Sequence, residues 1–220
     1  ASSLVYEKWK KRCHSMEIIP VELAGKGRRL REKPYTTIQE GAKDIFNIIL
    51  SETQVDKHYA ILGHSMGGIF AYEVAKLINL HEFNPPEFIF LSGIESPDIL
   101  KNNPKISLLS DKKFWHEIYN LGGLDQFILE NNKLINFYLP IIKHDYYILD
   151  IYEDNQMQLP YKGILFIGNK DHVNKRKVEL WQNRFVDKIK IYEFEGNHFF
   201  IYERYEEILD IISRILCMEG

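Results

Sequence analysis

Cysteine is scarce in this chain of 220 residues: the two present, Cys13 and Cys217, stand near opposite ends and belong to no motif. That excludes a disulfide scaffold and points to a reduced, cytoplasmic protein. An excess of one charge is also missing. Lys and Arg number 28 against 31 Asp and Glu, a formal net charge of −3, so nothing marks a general nucleic-acid binder. No apolar run approaches the roughly eighteen residues of a membrane span. The opening Ala1-Ser2-Ser3-Leu4-Val5-Tyr6 lacks the basic, apolar and small regions of a signal peptide. There is no internal repeat and no low-complexity tract. What is there is ordinary, with 45% hydrophobic and 27% charged residues. This excludes disordered, collagen-like and coiled-coil chains and leaves a single domain over residues 1–220, expected as a monomer.

Along the chain, short apolar runs alternate with amphipathic helical stretches, the α/β pattern of a mostly parallel sheet flanked by helices. Helices are predicted over 3–14, 37–51, 67–80, 173–185 and 203–217. Strands are predicted over 17–23, 59–63, 88–92, 164–168 and 189–193. Between Ser92 and Ile164 the rhythm breaks, and about seventy residues carry helical patterns without a strand. Asp111 is the expected N-cap of a helix ending at Gly122 and Gly123, and a second helical stretch runs over 131–150 across Pro140. Helices inserted between two strands read as a helical cap over one edge of the sheet, about 96–155, because core packing alone does not need so long a detour.

The sharpest motif is Gly63-His64-Ser65-Met66-Gly67-Gly68, placed after a strand and before a helix. A nucleophile elbow needs this pattern. The serine sits in a strained turn, and flanking glycines remove side chains that would strike the neighbouring strand and helix. The Met66 backbone N–H then lies at a helix N-terminus, where developing negative charge is favoured, as one oxyanion-hole donor. A serine at its normal pKa is a poor nucleophile and needs a base. Of eight histidines, His198 follows the last predicted strand in Phe194-Glu195-Gly196-Asn197-His198-Phe199-Phe200, where the chain order Ser, acid, His puts the base. His172 and His144 stand far behind it. His14, His81 and His116 read as surface residues, His58 precedes a strand, and His64 is held within the elbow, pointing elsewhere. The orienting acid is Asp171 in Gly168-Asn169-Lys170-Asp171, with Glu95 as the alternative after the middle strand and Asp98 as a third candidate.

Other signals are weak. Gly25-Lys26-Gly27-Arg28-Arg29 lacks the third glycine of a dinucleotide loop and the ending of a P-loop. The pairs His81-Glu82 and His144-Asp145 have no metal-ligand spacing to support them, so no metal and no cofactor of the protein's own is expected. The basic run Lys26, Arg28, Arg29, Arg31 and Lys33 reads as a solvated loop, with a docking patch for an acidic partner as its alternative.

Taken together, these residues resemble the type II thioesterases of nonribosomal peptide and polyketide synthetases, which have the α/β-hydrolase fold. The resemblance runs from Val21-Glu22-Leu23-Ala24-Gly25-Lys26-Gly27-Arg28-Arg29 through the elbow, Leu91-Ser92-Gly93 and Pro97. It continues through Leu121-Gly122-Gly123, Tyr138-Leu139-Pro140, Asp145-Tyr146 and Gly168-Asn169-Lys170-Asp171, and ends on Gly196-Asn197-His198-Phe199-Phe200. It implies Ser65 as nucleophile, His198 as base and Asp171 as acid, acting on an acyl thioester carried by the phosphopantetheine arm of an acyl- or peptidyl-carrier domain. Trp115, Phe137, Tyr138 and Tyr146 are the residues available for an acyl pocket under the cap. No nucleic acid and no membrane is implied as partner. Two departures stand out. Ala24 replaces a frequent proline, and the family's first strand with its glycine turn, source of the second oxyanion donor, precedes anything in this chain. The expectation is therefore that the chain is incomplete at its start. An esterase or lipase acting on free small esters is the alternative enzyme, and a non-catalytic binding protein of the same fold is a third reading, disfavoured by the retained triad.

Overall fold

In the computed structural model, residues 2–13, 15–52, 58–122 and 131–219 are described. Four strands, β1 (Ala60–His64), β2 (Phe88–Ser92), β3 (Lys162–Gly168) and β4 (Lys190–Phe194), form one parallel sheet in the order β1-β2-β3-β4. Around it lie α1 (Glu7–Arg12), α2 (Ile38–Glu52), α3 (Met66–Leu80), α4 (Pro97–Leu100), α5 (Asp111–Asn120) and α6 (Asn132–Asp150). They are followed by α7 (Lys175–Glu179), α8 (Phe200–Glu203) and α9 (Tyr205–Glu219).

A sheet covered on both faces needs apolar residues along both sides of its strands, and the middles of β2 and β3 supply them. Side chains alternate along a strand. Ile89, Leu91, Leu165 and Ile167 therefore face the core shared with Ile69, Val74 and Ile78 of α3 and Ile38 and Ile45 of α2. Phe88, Phe90, Ile164 and Phe166 face the opposite core, closed by Trp9 of α1 and Ile208, Ile212 and Ile215 of α9. No described helix is long and apolar enough to cross a membrane.

Several expectations are corrected. Residues 17–23 form no strand and pair with none of the described residues. Glu22 within them bonds instead to the N-terminal turn and to the following loop. The Glu22 carboxylate accepts from the Ser2 and Ser3 hydroxyls, each at 2.9 Å, and the Glu22 carbonyl accepts from Arg29 at 3.1 Å. The first helix is a 3-10 turn, Ser3–Tyr6, followed by the short α1. The helix expected over 173–185 splits into α7 and a 3-10 turn, Leu180–Arg184, because Asn174 caps it late and Trp181 is drawn inward to donate to the Ile94 carbonyl at 3.0 Å. Ser110, one residue earlier than expected, is the cap of α5; Asp111 opens the helix and bonds to Lys143 of α6 at 2.7 Å. His14 and Gly123 lie outside the described residues.

The basic loop is not simply solvated. Lys26 is only 8% exposed and pairs with Asp145 of α6, and Arg29 bonds to Asp44 of α2 at 2.6 Å and to Glu32. The helices α4, α5 and α6 all fall between β2 and β3. Helix α5 and the turn before it are tied to α6 by Lys143, which also donates to the Leu109 carbonyl at 2.9 Å, and by Asp150, which accepts from the Ser107 N–H at 3.0 Å.

Candidate active site

The strand-to-helix turn at Ser65 has the conformation its sequence demands. Ser65 adopts φ 54° and ψ −130°, a region that costs a non-glycine residue about 1–3 kcal/mol. Its N–H donates to the Ser92 carbonyl at 2.8 Å, so the edge of β2 holds the strained residue in place. A Cβ on Gly63 would stand 2.0 Å from the Gly67 carbonyl oxygen, and one on Gly68 would stand 2.5 Å from Ile94. These two glycines are the ones the elbow needs. Gly67 has open space where its side chain would be, so its expected steric role is not observed. Met66 is the first residue of α3, and its N–H is one of the helix-start donors without an intrahelical acceptor.

The loops after β3 and β4 are stitched together by backbone bonds. The Asn169 N–H donates to the Phe194 carbonyl at 2.8 Å and the Lys170 N–H to the Gly196 carbonyl at 2.9 Å. This lacing sets Asp171 and His198 side by side. His198 Nδ1 lies 2.9 Å from Asp171 Oδ2, and His198 Nε2 lies 3.1 Å from Ser65 Oγ. The carboxylate can only accept, so Nδ1 carries the proton and Nε2 is left to accept from the serine hydroxyl. Burial alone would push the Asp171 carboxyl up. The hydrogen bonds from His172 and His198 outweigh it and hold the group well below the usual carboxylate range.

His172, a distant second choice of base in the sequence, is placed beside the acid instead, a position that the motifs do not show. Its Nδ1 sits 2.7 Å from Asp171 Oδ1, the oxygen that also accepts from the Val173 N–H at 3.2 Å. Adjacency to the acid in a tight turn was its only sequence signal. The ligand atoms of Asp171, His172 and His198 lie within 4.8 Å of one another, near enough to meet one cation. In the structure the two histidines are bonded to the carboxylate itself. Contrary to the expectation that it points elsewhere, His64 faces the site. Its ring lies 5.0 Å from that of His198, and Nδ1 is 3.0 Å from Ser92 Oγ. Burial, with the neighbouring His198 adding to it, pushes its pKa down to about 3, so it stays neutral beside the base. Gly93, at φ +55°, makes room for both rings: a Cβ there would come within 2.8 Å of His64 and 3.4 Å of His198.

The alternative acids are occupied elsewhere. Glu95 is buried, pairs with Lys177 and accepts from Asn103 at 2.6 Å. Asp98 bonds to Arg184 at 2.9 Å and Asn183 at 3.2 Å. His144 donates from Nε2 to the Tyr35 carbonyl at 2.8 Å, and His58 pairs with Glu87.

Beside the elbow lies a cavity of about 290 Å³. Met66 and Phe70 of α3 form one wall, Leu23 and Tyr35 of the preceding loops a second, and Ile141 and Ile148 of α6 a third. The four aromatic residues expected to build an acyl pocket do not line it. Phe137 and Tyr138 pack on each other 5.1 Å apart and are nearly half exposed. Tyr146 packs edge-on against Phe114, and the Trp115 Nε1 is buried with no partner among the described residues. The inserted helices do approach the base. Gly122, at φ +81°, leaves no room for a Cβ, which would meet Asn197 Nδ2 at 2.4 Å, one residue from His198.

A thioesterase-domain family model matches residues 1–216. The chain is 27% identical to the gramicidin S biosynthesis protein GrsT of Aneurinibacillus migulanus, with 91% of this chain and 78% of that protein covered. It is 29% identical to the probable anguibactin biosynthesis thioesterase AngT of Vibrio anguillarum, covering 96% and 85%. Among solved structures it is similar to ClbQ from the colibactin NRPS/PKS pathway, at 28% identity and a TM-score of 0.89, over 98% of this chain and 92% of that one.

Proposed function

This chain belongs to the thioesterase family, and on that premise we propose that it hydrolyses acyl groups from the phosphopantetheine arm of carrier domains of a nonribosomal peptide or polyketide synthetase. The observation that carries the reading is the continuous relay Asp171–His198–Ser65, with contacts of 2.9 and 3.1 Å. Ser65 attacks the thioester carbonyl while His198 Nε2 takes its proton. The oxyanion that forms is stabilised by the Met66 N–H and the start of α3. His198 then gives its proton to the leaving thiolate, and an acyl group remains on Ser65 Oγ. Water enters and its oxygen adds to the acyl carbon as His198 removes a proton; the Ser65 Oγ–carbon bond then breaks, His198 returns the proton to Oγ, and the free acid leaves. Asp171 holds the imidazole in the required tautomer and steadies the imidazolium. The reaction needs no cofactor of the protein's own, because phosphopantetheine arrives with the substrate. In this reading the inserted helices are the cap, and the cavity beside Met66 receives the acyl chain.

The test is hydrolysis of an acyl-carrier protein set against the matching free ester. A higher kcat/KM on the carrier thioester is expected, together with loss of phosphonate labelling in Ser65→Ala. Preference for the free ester would favour the alternative, a small-ester hydrolase. Unchanged labelling of Ser65→Ala would move the nucleophile elsewhere.

A further inference from the structure

An acyl cavity built for plain hydrocarbon has no use for a charged pair in its wall, yet this one has Lys26 and Asp145 there. Lys26 leaves the loop before α2, only 8% exposed, and Asp145 reaches it from α6. Among the described residues the ammonium donates to Asp145 Oδ2. An ammonium has three N–H donors and a carboxylate two oxygens, so the pair keeps hydrogen-bonding capacity that its own contact does not use. His144, next in the same wall, adds to this. Its Nε2 must carry the proton to donate to the Tyr35 carbonyl, which leaves Nδ1 as a bare acceptor when the ring is neutral. Most of the rest of the wall is apolar, with Met66, Phe70, Ile141 and Ile148, and the Tyr35 hydroxyl is bonded to Asp44.

Before substrate binds, water can serve these polar groups. An acyl chain that fills the cavity displaces that water. A saturated chain then strands the N–H donors and the oxygen, whereas a chain with a hydroxyl or keto oxygen at the right depth replaces the lost bonds. The pair is neutral as a whole. A substituent that is itself cationic would meet the Lys26 ammonium, and an anionic one would meet Asp145, so a neutral polar substituent fits best. From this geometry we propose that the Lys26–Asp145 pair makes the cavity selective for acyl groups bearing a neutral hydrogen-bonding substituent, such as hydroxyacyl or ketoacyl chains, over saturated chains of equal size. The proposal rests on the assignment of this cavity to the acyl group.

The experiment compares two N-acetylcysteamine thioesters that differ by one isosteric exchange, 3-hydroxybutanoyl and 3-methylbutanoyl, on the wild-type protein and on the Lys26→Met/Asp145→Leu double variant. Removing both partners together avoids leaving one buried charge alone. Wild type is expected to favour the hydroxy substrate in kcat/KM by about tenfold or more. The double variant is expected to lose that preference or reverse it, with the change expressed in the substrate ratio, which does not depend on how much of the variant is folded. A wild-type ratio near one, or one favouring the methyl substrate, overturns the proposal without any variant. A wild-type preference that survives unchanged in the double variant also overturns it, since the selection then arises elsewhere. Failure of the underlying reading looks different. In that case neither thioester is hydrolysed in a Ser65-dependent way.

Discussion

The two halves of the site are built by different means. The reacting residues stand at the ends of β1, β3 and β4, and backbone bonds hold them: Ser65 to Ser92, Asn169 to Phe194, Lys170 to Gly196. The inserted helices meet the rest of the molecule through side chains. Lys26–Asp145 and His144–Tyr35 join α6 to the loops before α2, and Gly122 lies against Asn197. Backbone ladders tolerate little change of position. Side-chain bonds on a helix surface can be exchanged one at a time. Under the proposed function, the chemistry belongs to the rigid half and the choice of acyl group to the adjustable one.

The largest effects should arise in the rigid half. Ser65→Ala is expected to lower kcat by about 10⁴–10⁶-fold with an unchanged melting temperature. Asp171→Asn should cost about 10³–10⁴-fold, because the amide can favour the wrong imidazole tautomer. Glu95→Gln, in contact with Lys177 and Asn103 and not with His198, should change turnover less than about tenfold. Steady-state kinetics on the three variants check this, and a larger loss in Glu95→Gln than in Asp171→Asn would reassign the acid.

The elbow glycines give the next contrast. Gly63→Ala forces a Cβ to within 2.0 Å of a backbone oxygen, while Gly67→Ala meets nothing within 4 Å. Gly63→Ala should destabilise by about 2–4 kcal/mol and abolish turnover, and Gly67→Ala should be nearly neutral. Urea unfolding and activity on the same samples would show whether the elbow is as rigid as argued; equal effects would say it is not.

A pH series tests the neutral histidine beside the base. His64 has a folded pKa pushed down to about 3 from 6.5, so between those values the unfolded chain binds the extra proton. Its contribution to stability therefore rises with pH through that window and falls away as the solution is acidified. The depressed Asp171 carboxyl contributes stability that is lost only as pH falls through and below the ordinary carboxylate range. The melting temperature should accordingly depend less on pH in His64→Gln than in wild type between pH 6.5 and about 4.5. An equal slope in both proteins would mean that His64 is protonated in the fold.

The smallest expected effect lies in the adjustable half. Asp150→Asn weakens the bond from the Ser107 N–H and should cost about 1 kcal/mol. Amide exchange should quicken over 106–120, with kcat within about twofold of wild type. A large loss of kcat would join the two halves into one unit and dissolve the distinction.

Sequence reading succeeded wherever local pattern and chemistry coincided. Short apolar runs, the glycine-flanked turn at Ser65 and the position of His198 after the last strand are local signals, and β1 to β4 stand within a few residues of the runs at 59–63, 88–92, 164–168 and 189–193. It failed where a residue's state depends on a partner distant in the chain. Residues 17–23 have the composition of a strand, but a strand exists only through a ladder, and none of the described residues supplies one. Lys26 looked solvated because nothing in the sequence says that Asp145, 119 positions on, will meet it. Phe137 and Tyr138 read as pocket residues by family resemblance, but in the fold they are nearly half exposed and do not line the cavity.

By itself, then, the sequence determined the parallel α/β architecture and the strained serine turn, because each follows from backbone sterics and hydrophobic periodicity over a few neighbours. Tertiary structure alone decided that His172 shares the Asp171 carboxylate, that His64 sits neutral beside the base, and that a charged pair lines the cavity next to Met66. Those outcomes depend on which side chains are excluded from water together, and that is settled only when the sheet and helices pack.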